Sequence, residues 1–135
     1  MPHIAIRMPK GLTLEQKKKL GKDASAAVNN NVPMPTGMNP EATLEHELVE
    51  ISPENLARGG KLNATPSAYV IVNFIEGRTP EQKKGVAKDM TEAVARNLNL
   101  PPEAVTVEII EFPPSNIAHG GKLTLDNPPP GIKIH

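Results

Sequence analysis

Apolar residues alternate with other positions at Ile4, Ile6 and Met8, and the same alternation returns at Val70, Val72 and Phe74. Two short strands with one core-facing side each are predicted. After each comes a change of period: Leu20, Ala24, Ala27 and Val28, then Val86, Met90, Ala93, Val94 and Leu98, recur at helical spacing with lysines on the opposite face, which reads as solvated surface. Thr13 with Gln16, and Thr79 with Gln82, form the capping-box pattern that opens a helix, and Pro80 falls at the first helical position, where a missing N–H costs nothing. Leu44 and Leu48 then alternate with Glu45, Glu47 and Val49, and their later counterpart, Val105 to Phe112, is more continuously apolar. Each half therefore reads strand, helix, strand.

The two halves are copies. Gly11 to Val32 laid over Gly77 to Leu98, an offset of 66, matches at 11 of 22 positions, and Glu41 to Leu62 over Pro102 to Leu123, an offset of 61, matches at 9 of 22. The change of offset places five extra residues in the first copy, within Asn29 to Pro40, a polar stretch punctuated by Pro and Gly that reads as a surface loop. We expect one domain over 1–135, built from β-α-β units at about 1–62 and 66–123, with a Pro-rich arm over 124–135 reaching across a neighbour. A strand–helix–strand unit makes its two strands parallel, so the fold class is α/β (α+β): a four-stranded sheet with two helices on one face. The other face is expected to be bare and aliphatic, which calls for another sheet to cover it. The Gly59-Gly60-Lys61-Leu62 and Gly120-Gly121-Lys122-Leu123 ends read as turns followed by short pairing segments.

Composition narrows the function. The 15 basic and 15 acidic residues cancel and are spread over both halves, so no footprint for nucleic acid exists, and Tyr69, Phe74 and Phe112, the whole aromatic set, offer no stacking platform for bases. Cysteine is absent, which removes disulfides and thiolate chemistry. His3, His46, His119 and His135 show no metal-ligand or triad spacing, and no metal is expected. With no apolar span and no signal-peptide pattern, the chain is read as cytoplasmic, without a membrane partner.

The chemically distinctive position is Pro2. Removal of Met1 would leave a secondary amine there, whereas every internal proline is an amide without a basic lone pair. An α-amino group titrates near about 8, and burial lowers that value, so such an amine can accept and return a proton near neutrality.

A proline at position 2 opening a strand, Gly11 after it, a helix beginning Glu15-Gln16-Lys17 and a second strand ending before Gly59-Gly60 together resemble the 4-oxalocrotonate tautomerase family, and the resemblance runs twice through the chain. It implies a fused tandem member, assembling as a homo-trimer where single-unit members form hexamers. It also implies a tautomerase without cofactor, whose Pro2 amine moves a proton in the enol–keto conversion of a 2-hydroxydienoate or similar 2-oxo acid. The second copy starts at Ala68 and is internal, so one proline site per chain is implied; Pro66, just upstream, is an amide. The family's carboxylate-gripping arginine after the glycine corresponds to Leu12 in the first copy and Arg78 in the second. Its second arginine falls at Glu45 and Thr106, and its aromatic near the Gly-Gly turn at Leu56 and Ile117. With these departures, Ile117, Asn116, His119, Arg58 and Lys10 are the candidates for further substrate contacts. Two other readings stand beside the tautomerase. One is a hydratase or dehalogenase of acrylates with protonated Pro2 as general acid, disfavoured because Ile117-Ala118-His119 offers no acid to activate water. The other is a structural or binding protein that has lost catalysis.

Overall fold

The computed structural model describes residues 2–33 and 44–128. Met1, most of the inserted loop and the last part of the expected arm lie outside the described residues.

Strands β1 (His3–Pro9) and β2 (Glu45–Ile51) enclose helix α1 (Leu14–Asn29) in sequence, and the second unit repeats this with β5 (Ala68–Ile75), α2 (Pro80–Leu98) and β6 (Val105–Phe112). Short hairpins follow each unit: β3 (Ala57–Arg58) with β4 (Lys61–Leu62), and β7 (Ala118–His119) with β8 (Lys122–Leu123). Both glycines of each hairpin turn have positive φ, 59° and 78° at Gly59 and Gly60 and 59° and 81° at Gly120 and Gly121, as a two-residue turn that matches strand twist requires. Both capping boxes form: the Thr13 and Thr79 hydroxyls accept from the backbone N–H of Gln16 and Gln82, whose side chains accept from the threonine N–H in return.

Within each unit the strands are parallel, β1 with β2 and β5 with β6. Between units β1 and β5 pair antiparallel, His3 opposite Asn73 and Arg7 opposite Tyr69, giving one four-stranded sheet in the order β2-β1-β5-β6. This central antiparallel pair relates the two units by an approximate two-fold, so each end of the sheet combines the start of one unit with the middle of the other.

Ile4, Ile6 and Met8 of β1 and Val70, Val72 and Phe74 of β5 are buried against Leu20, Ala24 and Val28 of α1 and Val86, Met90 and Val94 of α2, in one core shared by both units. The helices are also tied to each other through Asp23, which accepts from Lys19 at 2.7 Å, Asn97 at 2.8 Å and Arg96 at 3.5 Å. Across the same seam Asn31 donates to Asp89 at 2.8 Å, and a side chain at Gly85 would collide with Asn31.

The opposite face of the sheet is open, as expected, but it is not simply aliphatic. Val49 and Ile110 are exposed there and Ala5 and Ile71 half-buried, yet charged ribs cross it. His3 lies 2.6 Å from Glu47 and 3.5 Å from Glu45, while Tyr69 donates to Glu108 and carries Arg7 over its ring, 5.9 Å from the centroid. The edge strands put Glu45, Glu47 and Glu108 on this face, and the inner strands supply His3 and Tyr69 as their partners. The expected arm also differs where it is described: Thr124 and Leu125 donate backbone hydrogen bonds to Ile117 and Pro114 of the same chain, at 2.9 and 3.1 Å, so its first turn packs at home.

Candidate active site

Pro2 sits half-buried immediately before β1. Because β5 runs antiparallel to β1, the start of β1 and the end of β5 share one end of the sheet. The chain leaving β5 turns through Glu76 and Gly77 to reach Arg78, directly before the Thr79 cap of α2. The fold thereby brings Pro2 of the first unit and Arg78 of the second to the same end of one chain. Its pseudo-symmetric counterpart, at the other end, combines Ala68 with Leu12 and has neither a terminal nitrogen nor a cation at those positions.

Gly77 has φ 113°, a backbone conformation that side-chain-bearing residues rarely adopt, so glycine is needed to make this turn. Arg78 is only partly accessible, and its Nε is buried without a hydrogen-bond partner among the described residues. An unpaired guanidinium nitrogen is costly to bury unless something anionic completes it, which is what a carboxylate ligand would do.

The remaining candidates divide between the ends. Asn116, Ile117 and His119 follow the end of β6, which is parallel to β5, and so belong to the Pro2 and Arg78 end. All three are exposed, Ile117 at 37%. Arg58 follows the end of β2 and is therefore at the opposite end of its own chain, as is Lys10. The Arg58 guanidinium donates to the Thr65 carbonyl at 3.4 Å and the Ser67 hydroxyl at 3.3 Å, which occupies it with the linker between units. That far end carries an apolar recess lined by Met8, Pro9, Ile51, Pro53, Leu56, Ala64, Pro66 and Ser67. Pro66 brings only an amide nitrogen to it, so the recess has shape without a base.

His3 points to the open face toward Glu45 and Glu47, away from the core side of β1. His46, on the core side of β2, holds the Leu44 carbonyl at 3.0 Å through Nδ1 and lies 3.4 Å from the Ser25 hydroxyl through Nε2, packed against Gly21 of α1. Among the described residues no group of three or more His, Asp or Glu side chains is arranged to hold a metal, and no helix is long and apolar enough to cross a membrane.

One feature escaped the sequence reading. Lys83, one of the lysines that read as solvated surface, forms an ion pair with Glu111 at the end of β6, and Glu111 also accepts from the Gly77 N–H at 3.2 Å. The hydrogen bond from Lys83 is the largest influence on this carboxyl and, with the turn N–H groups, holds it below its ordinary value of 4.5 against the opposing effect of burial. The first unit has the same arrangement at Lys17, Glu50 and Gly11, with the Glu50 carboxyl lowered for the same reasons, Lys17 foremost. The signal was available in the repeat: Glu50 and Glu111, like Lys17 and Lys83, are identities between the copies.

A family model described as tautomerase enzyme matches residues 69–127, the second unit. A probable tautomerase of Bacillus cereus is 43% identical over 58 residues, which cover 95% of that protein but 43% of this chain, as expected when one unit is compared with two. Among solved structures, a protein described as F6 fused 4-OT wild type asymmetric trimer superposes with a TM-score of 0.82 at 26% identity, covering 94% of this chain and 99% of that one. Pt0534, whose structure is that of the protein inactivated by 2-oxo-3-pentynoate, superposes at 0.78 with 27% identity, covering 90% and 94%. The likeness thus extends over both copies and the join between them, and the chain belongs to the tautomerase family as a fused, tandem member of its 4-oxalocrotonate tautomerase group.

Proposed function

We propose that this protein is a tautomerase in which Pro2, freed by removal of Met1, is the general base. The observation that carries this reading is the placement of Pro2 and Arg78 at one end of one chain by the antiparallel β1 and β5 pair. Arg78 grips the carboxylate of a 2-hydroxydienoate, an arylenolpyruvate or a similar enol acid through paired charge-assisted hydrogen bonds. The proline nitrogen takes the proton from the enol hydroxyl and returns it to carbon, giving the 2-oxo acid; no atoms are gained or lost. As negative charge spreads over the enolate, the guanidinium stabilises it, so part of the arginine's contribution falls in the transition state.

The amine suits the task because Pro2 is half-buried, and partial removal from water favours the neutral, basic form near neutral pH. Asn116, Ile117 and His119 line the same end and are the residues of this chain placed to shape the rest of the substrate. Arg58 belongs to this site only if a neighbouring chain supplies it. Assembly as a homo-trimer accords with the trimeric fused relative and with the uncovered sheet face.

The test is the enol-to-keto conversion of phenylenolpyruvate and of 2-hydroxydienoates by wild type and by Pro2→Ala. The variant is expected to fold and to lose most activity, because a primary amine differs from proline in basicity and shape. Unchanged rates in Pro2→Ala would remove Pro2 as the base, and a wild-type protein that converts none of these enols would return the fold to a structural or binding role.

A further inference from the structure

The turn that presents Arg78 is held from two sides. Its backbone is hydrogen-bonded to the strand beside it, Glu76 N–H to the Phe112 carbonyl at 2.9 Å. The Glu111 carboxylate, one residue earlier on that strand, accepts from the Gly77 N–H at 3.2 Å, while Lys83 from the first turns of α2 pairs with its other oxygen. Gly77, at φ 113°, is the residue best able to swing, and these bonds arrest it. Arg78 therefore leaves a fixed backbone, with its Nε buried and without a hydrogen-bond partner among the described residues.

We propose that Glu111 is a positioning residue for substrate binding: it fixes the Gly77–Arg78 backbone so that the guanidinium is presented, already oriented, to the substrate carboxylate. This rests on the tautomerase reading given above and assigns a part of its binding energy. The physical reason is preorganisation, since a guanidinium on a loose turn pays an ordering cost each time it engages a carboxylate.

The first unit supplies a matched control inside the same molecule. Glu50 pairs with Lys17 beside the Gly11 turn, and Lys10 N–H bonds to the Ile51 carbonyl at 3.3 Å, as Glu76 N–H does to Phe112 in the second unit. The residue presented there is Leu12, at the end of the sheet that lacks Pro2. Whatever the carboxylate does for folding is common to both units; whatever it does for binding belongs to Glu111.

The experiment compares Glu111→Gln with Glu50→Gln on phenylenolpyruvate and on its neutral ethyl ester, which offers Arg78 no anion. Glu111→Gln is expected to raise KM for the acid about tenfold, the cost of one weakened charged contact, with kcat little changed and KM for the ester unmoved. Both variants are expected to lose thermal stability alike, and Glu50→Gln to leave both KM values at wild type. In an Arg78→Ala background, Glu111→Gln should add nothing further to KM for the acid. Equal KM values for Glu111→Gln and Glu50→Gln would overturn the positioning role while leaving the tautomerase reading intact. An Arg78→Ala protein that treats acid and ester as wild type does would overturn both. If Glu111→Gln does not fold, Lys83→Met against Lys17→Met gives the same comparison, with a smaller rise in KM for the acid expected for Lys83→Met alone.

Discussion

Leu12 and Arg78 stand at the same place in the two copies, each one residue beyond a glycine of positive φ, and only the second can hold an anion. Arg78→Ala is expected to raise KM for a carboxylate substrate and to lower kcat as well, by about one to two decades in kcat/KM, because a charge-assisted contact contributes about 1.5–3 kcal/mol. Arg58→Ala should do less, since its guanidinium is taken up by Thr65 and Ser67 at the other end of the chain. Steady-state kinetics of the two variants check this; equal effects would remove Arg78 from the site. At this scale Pro2 stood out in the sequence by its place after Met1 and Arg78 by the family resemblance, and the repeat added that the other copy carries Ala68 and Leu12 at those positions. Glu111 and Lys83 were not, because a lysine on a polar helix face looks like any other until the distant strand that faces it is known. The division of candidates between the two ends was equally hidden, since it depends on the antiparallel join between units.

The elements themselves follow closely from local pattern. Alternation at Ile4, Ile6 and Met8 and the capping threonines place β1, α1 and α2 where the sequence analysis puts them. The open sheet face was misjudged in character because the glutamates of the edge strands and their partners on the inner strands, His3 and Tyr69, fall into pairs only when the register is fixed. Other carboxylates, on the helix side of the sheet and between the helices, set the response of these elements to acid. Glu50 and Glu111 have carboxyls lowered from 4.5 by Lys17 and Lys83, and Asp23, between the helices, is lowered from 3.8: burial alone would raise it, but Asn97, Lys19 and Arg96 together prevail. A carboxyl lowered in the folded state adds stability that is fully present above its unfolded value and is lost as pH falls through the folded one. Melting temperature is therefore expected to fall as pH drops below 4.5, and Glu50→Gln with Glu111→Gln should flatten that decline relative to wild type. Parallel melting curves for the two proteins through this window would show that the strand-end carboxylates contribute nothing to acid sensitivity.

At the scale of the whole molecule, both helices lie on one side of the sheet and the other side exposes Val49 and Ile110 among its ion pairs. A mixed face of this kind suits a partner that matches both its apolar and its charged positions. We expect light scattering to give three times the 14.5 kDa chain mass, and a stable monomer would contradict it. The account as a whole depends on one nitrogen being free, and this is measured most directly by the intact mass of the assembled protein before and after 2-oxo-3-pentynoate, the compound that inactivates the related Pt0534. An amine adds across the triple bond of such an acid with no leaving group, so the adduct weighs the sum of the two. The account predicts a chain lacking Met1 that gains one inhibitor equivalent, mapped to Pro2, as enol–keto activity disappears; a fully active protein that retains Met1, or one inactivated with Pro2 unmodified, would contradict it.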